Sequence, residues 1–171
     1  VGVGDFQKNF WIPEDDLKIV QIDGDLSPSD LLQSGDILAV RSNGNRELIG
    51  RVMLAGEMKE PTSFSGFTIR IRTTDKEVMP AYVCHFLRTK AMRDLLTEGG
   101  EGANISNLNQ KLLESLPVKV PEKACQRAAV LEVEKLTEAM TELQSHYRAK
   151  LADLDALRQA LLQKAFAGEL T

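Results

Sequence analysis

The chain has 171 residues, 43% of them hydrophobic, 27% charged and 5% aromatic, with a formal net charge of −4. That length suits one compact domain of roughly 100–120 residues plus one extended element. No run approaches the ~20 apolar residues that a bilayer span needs, and the N-terminus lacks a basic-then-apolar secretory pattern, so a cytoplasmic protein without a membrane partner is expected.

A net charge of −4 alone argues against a nucleic-acid partner, but the charge is unevenly spread. Residues 1–40 hold eight acids against two bases, Lys8 and Lys18. Residues 41–93 hold ten bases (Arg41, Arg46, Arg51, Lys59, Arg70, Arg72, Lys76, Arg88, Lys90, Arg93) against five acids. Such a cluster reads equally as solvated surface or as a footprint for an anion. Cys84 and Cys125 fit no metal spacing and are expected to be reduced packing residues. The chain opens Val1-Gly2-Val3-Gly4-Asp5, without methionine and in a mid-strand pattern, which suggests a fragment or processed form.

In chain order, Leu17 to Ile22 alternates as a strand does, and Asp23-Gly24-Asp25 and Ser27-Pro28-Ser29 follow as turns. Gly35-Asp36 turns into a second strand, Ile37 to Val40, which stops at Arg41-Ser42-Asn43-Gly44-Asn45-Arg46. A third strand runs from Ile49 to Ala55. In the fourth, Phe67, Ile69 and Ile71 share one face while Thr68, Arg70 and Arg72 share the other.

Met79-Pro80 then opens a helix, with proline suited to its first turn, and Tyr82, Val83, Phe86, Leu87, Met92, Leu95 and Leu96 form its buried side. Glu98-Gly99-Gly100-Glu101-Gly102 ends that helix in a loop. Ser106 or Asn107 can cap a short helix through Leu113. Leu116-Pro117-Val118-Lys119-Val120-Pro121 is extended because proline restricts the residue before it.

From Glu122 to Ala167 there is neither proline nor glycine. Ala129, Val133, Leu136, Met140, Leu143, Tyr147, Leu154, Leu157 and Leu161 recur at alternating steps of four and three, with one missed beat at Lys150. That is a heptad seam on one long helix, and it calls for a partner helix. Lys150 either sets register and partner choice or snorkels outward while Leu151 takes over the packing. The expected architecture is α+β: a small mixed α/β domain over residues 1–120 and a protruding coiled-coil helix over 121–171.

Chemistry is hard to find. His85 and His146 each stand alone within helical segments, no cluster has metal-ligand spacing, and neither a phosphate-gripping glycine loop nor a dinucleotide fingerprint occurs. No nucleophile elbow and no methyltransferase segment of the Asn/Asp-Pro-Pro-Tyr kind is present. The turn over 41–46 is different. Arginine can bond two acceptors of guanine and asparagine can do the same for adenine, while lysine holds phosphates. The same Asn-Gly turn also reads as a plain hairpin.

Leu32-Gln33-Ser34-Gly35-Asp36-Ile37-Leu38-Ala39-Val40-Arg41-Ser42-Asn43-Gly44 resembles a segment of the specificity subunits of type I restriction-modification enzymes. Four further segments follow in that family's order: Phe64-Ser65-Gly66-Phe67, Gly102-Ala103-Asn104-Ile105-Ser106, Leu116 to Pro121, and Leu161 to Leu170. The resemblance implies a target recognition domain on a helical spacer, reading half of a split site in double-stranded DNA, and no catalysis by the subunit itself. It implies no cofactor of its own either. S-adenosylmethionine would belong to a modification subunit that methylates adenine, and ATP and Mg to a restriction subunit.

The chain departs from the family in holding one recognition domain and in lacking the domain's usual opening segment before Val1, and the helix would pair antiparallel with a second spacer or with a second copy. Expected DNA contacts are Arg41, Ser42, Asn43, Asn45, Arg46 and Lys59, with Asn104 from the resemblance. The expected interface is Val133, Leu136, Met140, Leu143, Tyr147, Leu154, Leu157 and Leu161. A reading from another class is an interaction scaffold, with a protein-binding head and a coiled-coil arm.

Overall fold

A computed structural model describes residues 1–6, 9–98, 108 and 110–169. By its contacts the chain forms two compact units, Val1–Ala128 and Ala129–Thr171.

The first unit is organised by β1 (Ile37–Val40), which pairs antiparallel with both β2 (Val52–Leu54) and β3 (Thr68–Ile71). The sheet order is β2-β1-β3. All four residues of β1 are buried, which explains an unbroken Ile-Leu-Ala-Val run where a one-sided strand would alternate. Ile37 and Ala39 pack on one face with Val52, Leu54, Val83, Cys84, Leu87 and Leu96. Leu38 and Val40 pack on the other with Met53, Phe6, Ile12 and Leu32. The sheet is therefore covered by helices on one side and by largely irregular N-terminal chain on the other.

The helical cover is α1 (Pro80–Leu87) and α2 (Lys90–Glu98), two helices where the sequence suggests one. They part at Arg88-Thr89, where Thr89 Oγ1 donates to the Phe86 carbonyl and accepts from the Met92 amide, opening the second helix. Within the expected buried side Val83, Leu87, Met92 and Leu96 are buried, whereas Leu95 is exposed. A short α3 (Gln110–Glu114) follows. The expected caps at Ser106 and Asn107 and the glycine loop before them lie outside the described residues.

Leu17–Ile22 is not a strand. Ile19 and Val20 are 99% and 73% exposed, with no ladder partner among the described residues. The outer edge of β2 is instead met by Trp11–Ile12: the Leu54 amide donates to the Phe10 carbonyl, and the Ile12 amide to that of Leu54. The third strand is also shorter than expected, because Ile49-Gly50 forms a turn in which Gly50 has φ +74° and lies against Leu96. Cys84 is buried as expected, but Cys125 is exposed and is no packing residue.

The second unit is most of α4 (Lys123–Phe166), 44 residues and about 66 Å long. Its stop is built locally. Gly168 adopts φ +73°, and the Glu169 amide reaches back to the Lys164 carbonyl at 2.9 Å. That is the left-handed helix ending for which glycine is suited.

Candidate nucleic-acid interface

The segment that ends β1 is held first by backbone hydrogen bonds. The amides of Arg41 and Ser42 both donate to the Phe67 carbonyl, at 2.8 and 3.2 Å, and the Arg41 carbonyl accepts from the Leu108 amide at 2.5 Å. Asn43 Oδ1 accepts from the Asn45 amide at 2.7 Å, and Asn45 Oδ1 accepts from the Glu47 amide at 3.0 Å. The second bond caps a short 3-10 turn over Arg46–Leu48. Both asparagines thus shape the turn through their side-chain oxygens, and among the described residues neither NH₂ group makes a hydrogen bond.

Below the turn, the Glu47 carbonyl accepts from Arg51 Nε at 3.0 Å and from an Arg93 terminal nitrogen at 3.3 Å. The result is a turn stapled at its base that presents exposed Arg41, Asn45 and Arg46, with Ser42 and Asn43 half-buried beside them.

The structure gathers five of the seven expected contacts, residues 41 to 46, on that turn. Lys59 leaves from the other end of the sheet, because β2 runs antiparallel to β1 and ends opposite Ile37. Its ammonium lies 3.7 Å from Glu14 and 3.5 Å from Asp15, and its amide donates to Glu14. Asn104 lies outside the described residues.

Phe67, expected on the apolar face with Ile69 and Ile71, is 62% exposed while its carbonyl holds the turn. It adds an aromatic surface beside the arginines that the strand alternation disguised. The glycine before it, in Ser65-Gly66-Phe67, was the available signal of a turn.

Most of the basic midsection works inside the fold. Arg72 makes two 2.6 Å bonds to the buried carboxylate of Asp36, which raises the arginine pKa. Arg70 donates to the carbonyls of Ser29 and Leu31 and lies over the Phe64 ring. Arg88 donates to the carbonyls of Asn9 and Val52 and lies over the Phe10 ring. Burial, and beyond it the nearby charges of Arg51 and Arg93, pull the Arg88 pKa down despite an opposing effect of Cys84. Arg51 reaches the Phe6 carbonyl as well. Irregular chain leaves carbonyls without ladder partners, and a guanidinium supplies several donors from one side chain.

The Leu32-to-Gly44 motif has a structural reading from this geometry. Leu32 is core, and Gly35 sits at φ +88° with a would-be Cβ 3.1 Å from Pro80. Asp36 anchors Arg72, Ile37 to Val40 fill both cores, and the polar turn begins only at Arg41.

Among the described residues no group of three or more His, Cys, Asp or Glu side chains could hold a metal ion, and no helix is long and apolar enough to cross a membrane. Burial raises the Cys84 thiol to about 12, which leaves no thiolate at neutral pH. His85 stacks on Phe10 at 4.1 Å, and its pKa is lowered by burial and then by Arg88.

On α4, the eight expected seam residues are all exposed, from 38% at Val133 to 61% at Leu154. The Val, Leu and Met side chains among them, about half exposed, would each gain roughly half of the ~1.5–3 kcal/mol that complete burial of an exposed side chain gives.

No protein-family model matches the chain. It is similar to the type I restriction enzyme StySPI specificity subunit of Salmonella potsdam, 28% identical over 144 residues. It is likewise similar to the EcoKI specificity subunit of Escherichia coli K12, 29% identical over 147 residues. Each alignment covers 82% of this chain and 30% of the relative, so the chain spans under a third of the curated relatives' length.

In fold it resembles the HsdS subunit from Thermoanaerobacter tengcongensis, with a TM-score of 0.70 and 20% identity over 96% of this chain and 42% of the other. A chain from a type I R-M system gives a TM-score of 0.69 and 18% identity over 99% and 38%. The resemblance to type I specificity subunits carried by the motifs is thus borne out, and so is the α+β class, a small antiparallel sheet with a long C-terminal helix.

Proposed function

We propose that this chain is one reading unit of the DNA-specificity subunit of a type I restriction-modification system. The observation that carries the reading is similarity over 82% of the chain to two proteins described as specificity subunits. The unit is non-catalytic and holds no cofactor of its own. Its domain over residues 1–120 recognises half of a bipartite site, and residues 121–171 are the spacer and pairing arm.

Arg41, Ser42, Asn43, Asn45 and Arg46 meet the bases and backbone of double-stranded DNA, with Phe67 beside them. Guanidinium and amide groups on a stapled turn suit base edges in the major groove. Asn104 contributes through the family motif. Lys59 is a phosphate contact only where DNA outcompetes Glu14 and Asp15 for its charge.

The exposed seam of α4 supports pairing with a second spacer helix, antiparallel, from another copy or a second recognition unit. The pair then directs a modification subunit, which uses S-adenosylmethionine, and a restriction subunit, which uses ATP and Mg. The whole works in the cytoplasm.

The test is a binding titration of this chain with its modification subunit against DNA carrying methylated host sites and against scrambled DNA. Selective binding that weakens as salt rises is the expected result. Equal or absent binding to both DNAs would leave the interaction scaffold as the better reading.

A further inference from the structure

Gln126, in the first turn of α4, has 0% exposure, and its amide is bonded on every side. Its Oε1 accepts from the Met79 amide at 2.8 Å, and its Nε2 donates to the carbonyls of Glu77 at 2.9 Å and Pro121 at 2.7 Å. Met79 is the residue that caps α1, and its own side chain supplies no capping bond. One buried amide therefore joins the start of α1 to the start of α4. Two more exposed tethers flank it: Lys123 Nζ donates to the Lys76 carbonyl at 2.7 Å, and Tyr82 Oη to the Lys119 carbonyl at 3.0 Å.

Apolar packing would hold a helix against a surface without choosing its rotation, because the hydrophobic effect is non-directional. A slip of one residue costs apolar contacts little, yet moves a helix by about 1.5 Å and turns it by about 100°. A buried amide with three fixed partners tolerates no such slip, since each lost bond leaves a dry polar group unpaired.

We propose that Gln126 is a positioning residue that fixes the rotation and axial register of the first turn of α4 against the start of α1, and that the gap between half-sites accepted by the assembled subunit depends on it. This rests on the DNA-reading function proposed above.

The experiment uses the full chain with its modification subunit. Methylation is measured on DNA in which the gap between half-sites is that found in methylated host DNA, or is one base pair shorter or longer. Amide hydrogen exchange at Met79 is followed in parallel. Gln126→Met keeps the length of the side chain and removes its hydrogen bonds.

The expected result is faster exchange at Met79 and a several-fold loss of preference for the native gap, with methylation at the native gap retained. An unchanged gap preference in Gln126→Met overturns the proposal, even with faster exchange, because the amide would then be structural only. Should Gln126→Met fail to fold, Lys123→Met weakens the same joint from its exposed side; a smaller loosening in the same direction is expected, and an unaltered preference overturns the proposal. A wild-type complex indifferent to half-site sequence would remove the DNA-reading function and this inference with it. A selective wild type with an unaffected variant removes the role of Gln126 alone.

Discussion

Asp36 and Arg72 face each other across the sheet, one residue beyond the last ladder pair, Ile37 with Ile71. Both carboxylate oxygens take a guanidinium N–H at 2.6 Å, and the Asp36 side chain is 1% exposed while that of Arg72 is 35% exposed. The remaining bond to Asp36 comes from the Gln33 amide at 2.8 Å, closing the turn that launches β1. Arg72→Met would strand a buried carboxylate, so a loss of about 3 kcal/mol is expected in urea unfolding, at the low end of such breaks because water reaches the arginine. A loss below about 1 kcal/mol would mean that the pair contributes little.

The turn residues divide into those that build the turn and those proposed to read DNA. Asn45→Ala removes the cap over the Glu47 amide and should lower stability by about 1 kcal/mol. Arg46→Ala should reduce site-specific methylation by the assembled complex by more than any accompanying fall in its urea midpoint explains. Undiminished methylation by Arg46→Ala at native stability would remove Arg46 from the interface.

Pairing through α4 predicts that the isolated chain self-associates at tens of micromolar in equilibrium ultracentrifugation. Leu143→Glu, in the middle of the exposed seam, should shift it to monomer without altering the fold of the first unit. A wild-type chain that stays monomeric would exclude the homodimer and leave pairing to a second spacer.

His85 makes stability depend on acid. Its pKa is lowered in the folded state, so between that value and the ordinary 6.5 the unfolded chain binds more protons. The contribution is intact above 6.5 and is lost as the pH falls toward the folded value. Urea midpoints at pH 7.5 and 5.5 should differ less in His85→Phe than in the wild type. An equal difference in both proteins would assign the acid sensitivity to other groups.

The cysteines should separate by rate. Cys125 is exposed and Cys84 is buried with its pKa pushed up to about 12. Iodoacetamide at pH 8 should modify Cys125 alone in the native chain and both after unfolding. Native-state modification of Cys84 would show that its cover opens readily.

What the sequence made legible follows from where each signal resides. The long helix announces itself by a repeat sustained over tens of residues, and its start at Lys123 and its glycine stop have local causes. β1 and β3 were also readable, because a buried run and a strict alternation are properties of the strands themselves. Leu17–Ile22 alternates equally well but finds no ladder, since edge pairing of β2 went to Trp11–Ile12 beside a proline that hid it. The basic midsection misled for a similar reason. Arg51, Arg70, Arg88 and Arg93 answer carbonyls that lie 4 to 79 residues away, and no spacing rule connects a guanidinium to a remote peptide oxygen. Five of the seven expected contacts fall on one turn because residues 41 to 46 are contiguous in the chain.

The division between Val40 and Arg41 has a consequence for how the proposed DNA reader would diversify. From Asp36 to Val40 every side chain is committed to two cores and an ion pair, while the five side chains of residues 41 to 46 belong to neither core. If residues 41 to 46 read DNA as proposed, new base preferences could therefore be sampled there without repacking either core. Grafting that hexapeptide from a relative should retarget the protein without unfolding it, as a key is recut at its teeth and not at its shaft.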